Sequence, residues 1–182
     1  MPALGKEFLE TATRRMLYYK DLGDKTFAQL NDEDFHYQPG EESNSVAIIV
    51  KHMHGNMMSR WTNFLTEDGE KSWRDRDGEF SKSNDNKAEI LELWEKGWNC
   101  FIDALKTLDE GDLLKLIRIR DEELTVVDAI NRQLAHYPYH VGQIVYIGKL
   151  LKDRKWKNLS IARGGSQHYN TSEEVKDPAK KF

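Results

Sequence analysis

The sequence predicts an all-α fold: a four-helix bundle with one long crossover connection and a small β-hairpin before the last helix. Three observations carry this. Apolar residues recur with a helical period in four segments, a polar stretch separates the second from the third, and a short alternating run precedes the fourth.

In the first segment Leu9, Ala12, Met16 and Tyr19 fall on one helical face. The second opens at Ser43-Asn-Ser45, good N-cap residues, and runs to about Leu65 with Val46, Val50, Met53, Met57, Trp61 and Phe64 in one stripe. The third sets Leu91, Trp94, Trp98, Phe101, Leu105 and Leu108 in 3-4 alternation, and aromatics so spaced belong to a core. The fourth starts at Thr125, with Asp128 placed for a capping box, and continues through Val127, Ile130, Leu134, Tyr137, Val141 and Ile144 to near Leu151. The connection TEDGEKSWRDRDGEFSKSNDNK is too long for a tight turn, so it reads as a crossover between two parallel helices, pinned by Trp73 and Phe80. LIRIRDEELTV alternates apolar and polar residues on either side of Asp-Glu, as a hairpin would. Residues 1–170 read as one domain and 171–182 as a mobile C-terminal tail.

At 182 residues the chain can bury one core. Hydrophobic residues make up 38% and charged residues 32%, a globular composition, and no apolar run approaches the ~18 residues of a membrane span. The N-terminal residues lack a signal peptide's apolar core, and Cys100 has no disulfide partner, so a reducing cytoplasm is expected. Net charge is −4, which argues against nucleic-acid and anionic-membrane partners. No GxSxG elbow, P-loop or GxGxxG is present, and Cys100, inside the third apolar turn, reads as buried and inert.

The chemistry concentrates in HYPYHVGQI. His136 and His140 lie one helical turn apart, about 6 Å along the axis, on one face, the spacing two imidazoles need to reach one ion. Tyr137 occupies the position where a zinc protease needs glutamate, which argues against a standard zinc protease. Pro138 sits between them; an interior proline loses one backbone hydrogen bond at a cost of roughly 3 kcal/mol, and a kink there would re-aim His136 relative to His140. A third ligand must come from elsewhere. The second helix offers His52 and His54, about 200° apart around the axis, so only one can serve. His54 is nearer the apolar stripe, whereas His52 shares a polar face with Ser45, Asn56 and Asn63; periodicity leaves both open. Asn56 and Gln143 are placed to support a ligand or touch substrate, and Arg60 and Arg132 to bind an anionic one, against a solvated surface role for each arginine.

SVAIIVKH followed much later by HYPYHVGQ resembles the DinB/YfiT-like superfamily of four-helix-bundle metalloproteins, from the first helix to about Asn170. The likeness is strongest to a bacterial branch sharing GEESNSVAIIVKH, GNMMSRW, DGEKSWRDRD, INRQLAHY and HVGQI. It implies a divalent metal site formed by His52, His136 and His140, with His54 a bystander. Three neutral imidazoles leave open positions, as catalytic sites do, and zinc or nickel suits nitrogen donors. The resemblance further implies a cytoplasmic, homodimeric, metal-dependent enzyme acting on a small molecule. The reaction class would be thiol S-transfer, with a low-molecular-weight thiol as cosubstrate, or hydrolysis. The alternative is a non-catalytic metal-binding bundle that serves as a dimeric module. Two departures stand out: Val141 replaces a basic residue frequent in relatives, and Pro138 is not general in the superfamily.

Overall fold

In a computed structural model, which describes residues 3–82 and 84–182, four long helices form the body. They are α1 (Leu4–Phe27), α3 (Val46–Trp61), α5 (Lys87–Lys106) and α6 (Val126–Lys152), with short α2 (Asp32–Phe35), α4 (Arg76–Glu79) and α7 (Ser166–Thr171) in the connections. A two-stranded antiparallel hairpin, β1 (Leu116–Ile119) and β2 (Glu122–Thr125), leads directly into α6. The four-helix bundle and the hairpin are as the sequence predicts.

Local chemistry sets the helix starts. Ser45 accepts from the Ile48 N–H at 3.3 Å, Asn86 and Glu89 form a capping box, and Thr125 accepts from the Asp128 N–H at 3.3 Å. The core is aromatic: Phe27, Trp94, Trp98, Phe101 and Tyr137 are buried and meet edge-on or tilted. Gly23 permits this, since a Cβ there would come within 2.5 Å of the Trp94 ring.

Contacts between α3 and α5 advance together along both chains: His54 meets Leu93 and Gly97, Met57 meets Cys100, and Trp61 meets Phe101. The two helices therefore run parallel, and the crossover between them must return the length of the bundle. Trp73 does not pin it, being 58% exposed. Phe80 does, lying against the His52 ring, and polar groups join it: Lys71 and Glu79 are buried, as is the Arg74 side chain. At the hairpin the two turn residues are Arg120 and Asp121, one position earlier than the Asp-Glu expectation. Both take left-handed angles, φ 58° and 62°, and Asp68 of the crossover accepts both their N–H groups at 2.9 Å. The segment expected as a tail lies along α1, where Arg15 holds Asp177 through two hydrogen bonds of 2.6 and 2.7 Å.

Candidate metal centre

Helix α3 is buried almost all round, because its apolar stripe faces the core and its polar face is covered by α6 and the crossover. That decides what periodicity left open. The polar face carrying His52 and Asn56 is interior; His52 is 6% and Asn56 8% exposed. His54 points the other way and donates from Nδ1 to the Leu93 carbonyl of α5 at 2.9 Å, which makes it a packing group.

His136 and His140 project from α6 toward His52. The Nε2 atoms of His136 and His140 are 3.0 Å apart and those of His52 and His136 3.5 Å, and the ligand atoms of all three lie within 4.8 Å of one another. Helix α6 runs unbroken from Val126 to Lys152 with Pro138 inside it.

Each imidazole has an oxygen acceptor behind it. His52 Nδ1 donates to Glu79 Oε2 at 3.0 Å, His136 Nδ1 to Gln133 Oε1 at 3.4 Å, and His140 Nδ1 to Gln143 Oε1 at 2.8 Å. An acceptor there places the proton on Nδ1, so each Nε2 keeps a lone pair, and the three lone pairs converge. A tetrahedral ion about 2.05 Å from each nitrogen would separate the nitrogens by roughly 3.3 Å, which the 3.0 and 3.5 Å pairs bracket. The donor set fits a divalent cation. Burial, reinforced by the neighbouring His140 and His52, pushes His136 down to about 4, and burial lowers His140 against the opposing pull of Gln143. Both are therefore neutral, the form that ligates, at physiological pH.

The supporting residues divide. Gln143 holds His140. Asn56 accepts from the Tyr137 hydroxyl at 3.1 Å, and that hydroxyl in turn accepts from Trp61 Nε1 at 3.2 Å, so Asn56 belongs to a buried chain that positions Tyr137 between the two histidines. Arg132 is exposed one turn before His136, and its charge is felt there. Arg60 is neither solvated nor available to a substrate at the histidines. It is buried, donating to the Gly69 carbonyl and to Glu70 at 3.1 Å, and so ties the crossover to α3. Sequence reasoning missed Glu79 and Arg74, set Phe80 in the crossover only as an anchor, and gave Gln133 no role although it shares the histidine flank. Gln133 stands three residues before His136 as Gln143 stands three after His140, a symmetry that was available; the other three carry no periodic signal.

Residues 3–165 match the family described as "Protein of unknown function (DUF1572)". The chain belongs to this family. No curated protein and no solved structure matches it. In this DUF1572 chain the residues packed on the cluster are aromatic and cationic. Phe80 stacks on His52 at 4.9 Å with the Arg76 guanidinium over its outer face at 5.5 Å, and Tyr139, 61% exposed, meets His140 edge-on at 4.9 Å. The described residues supply three ligating side chains, which can hold a metal ion and leave further coordination positions to other molecules.

Proposed function

We propose that this chain is a cytoplasmic metal-dependent enzyme of the DinB-like kind, in which His52, His136 and His140 hold zinc or nickel. Its reaction would be a thiol S-transfer between a low-molecular-weight thiol and a second small molecule, or a hydrolysis. One observation carries the reading: three Nε2 lone pairs converge while each Nδ1 is held by an oxygen, the donor set of an open metal site. A divalent ion there supplies Lewis acidity that favours loss of a proton from water or a thiol. The chain's own residues do the rest. The three acceptors orient the ring nitrogens, Phe80 and Tyr139 pack on the His52 and His140 rings, and Arg132 and Arg76 favour an anionic ligand. No described helix is long and apolar enough to cross a membrane.

Elemental analysis of untagged protein purified without chelators tests this. Near-stoichiometric zinc or nickel is expected, lost in the His136→Ala/His140→Ala variant, and thiol and ester substrates are then screened. Protein that takes up neither metal after incubation with both would overturn the reading.

A second reading, a dimeric non-catalytic module, draws on the outer face of α6. Ala135, Tyr139, Gly142, Tyr146 and Leu150 form an exposed seam at 3-4 spacing, with Tyr146 69% exposed. Sedimentation equilibrium should show a dimer that Tyr146→Glu dissociates; a monomeric wild type removes this reading.

A further inference from the structure

The three histidines are not equivalent in what backs them. His136 and His140 rest on the carboxamide oxygens of Gln133 and Gln143, while His52 alone rests on a carboxylate, that of Glu79. Glu79 is not part of the bundle's helices. It sits at the end of α4 in the crossover, 27 residues from the histidine it touches. From this asymmetry we propose that Glu79 is the positioning residue of the three-histidine centre, and that through it the crossover is a working part of the site. The proposal rests on the reading of the histidines as metal ligands.

Glu79 is fixed from several directions. Arg74 grips both its oxygens, Nε to Oε1 at 2.7 Å and Nη2 to Oε2 at 2.9 Å, and Oε2 also accepts from His52 Nδ1 at 3.0 Å. The Arg74 side chain is 2% exposed and that of Glu79 9%. A carboxylate gripped on both oxygens by a guanidinium is charge-paired and fixed in orientation.

Room for the carboxylate is built into α3. At Gly55 a Cβ would lie 2.0 Å from Glu79 Oε1 and 2.6 Å from its Cδ, so any side chain there would expel the carboxylate. A glycine in mid-helix is unfavourable by itself. Here it forms a notch three residues after His52, and the carboxylate lies in that notch.

The chemistry of the arrangement follows. The Glu79 carboxylate keeps the proton on His52 Nδ1, so Nε2 cannot take it and lose its lone pair. It also polarises the ring and makes His52 the strongest donor of the three. Because Arg74 offsets the carboxylate charge, an ion at the histidines keeps its own positive charge toward substrate.

The test uses full-length protein, zinc as probe, and two variants. Glu79→Gln preserves shape but removes the charge. Arg74→Met/Glu79→Ala removes both charges, so that no buried charge is stranded. Zinc affinity is measured by chelator competition at a temperature where circular dichroism shows each protein folded. The expected result is an affinity about tenfold or more below wild type in both variants. Imidazole 15N–1H spectra of the zinc-loaded protein provide a signature that a purely structural role would not move. The His52 Nδ1 proton should resonate far downfield in the wild type and lose that displacement in Glu79→Gln. Wild-type zinc affinity in both variants, with the His52 resonance unmoved in Glu79→Gln, overturns the role of Glu79 alone. A wild-type protein that binds neither zinc nor nickel overturns the metal reading beneath it.

Discussion

His136 is held well below the ordinary histidine range by burial and by its imidazole neighbours, and this has a consequence for the metal-free protein. An unfolded chain takes up a proton at His136 near pH 6.5, whereas the folded chain does so only near 4. Between those values the unfolded state binds more protons, so stability rises with pH. It is fully present above about pH 6.5 and declines as pH falls toward 4. His140, also lowered by burial, adds in the same direction. Urea midpoints of metal-stripped protein should drop between pH 7 and pH 5, and His136→Gln should flatten part of that drop. An unchanged slope in the variant would count against a buried neutral His136. At this scale the sequence showed the histidine pair, because a helix puts positions four apart on one face, and the resemblance chose His52 over His54. It could not show Glu79, since an irregular crossover has no period from which a contact 27 residues away can be read.

Among the elements, α6 is the one whose sequence breaks a local rule. Pro138 leaves the Leu134 carbonyl without its helical partner, yet the helix continues through it with both histidines turned toward α3. Restoring the amide in Pro138→Ala should stabilise the metal-free protein by up to about 3 kcal/mol. The same change should weaken zinc binding if the proline sets how His136 is aimed relative to His140. Calorimetric titration compares the two proteins, and equal affinities would detach the proline from the site. The crossover shows the converse limit of reading elements from sequence. Its length revealed a parallel pair of helices, but of its two aromatic anchors only Phe80 packs inward, on His52. Trp73 is exposed, and the segment is held by buried ion pairs and by backbone groups at Gly69, Arg120 and Asp121. Hydrophobic patterning reports which surfaces leave water. It does not report which charges find partners.

For the whole molecule, the bundle was legible because four amphipathic stripes of this length have few ways to bury one another. What was not legible is how the C-terminal segment lies, since Arg15–Asp177 and the burial of Ala179 against α1 depend on side chains far apart in sequence. Zinc or nickel bound only by the folded state should raise the unfolding temperature, by an amount that grows with the logarithm of free metal above Kd. Differential scanning calorimetry at stepped metal concentrations reads this. A midpoint indifferent to metal would mean that the three nitrogens do not act together.

Finally, the ligands differ in how far apart they lie along the chain, and this bears on the order of events during folding. His136 and His140 share one helix, so a two-nitrogen grip exists as soon as that helix forms, even in a chain whose bundle is still open. His52 lies 84 residues earlier than His136 and arrives only when α3 docks. Under the proposed metal reading, an ion met early would be loosely held and exchangeable, and docking of α3 would lock it in place, so the ion retained would be the one present when the third nitrogen arrives.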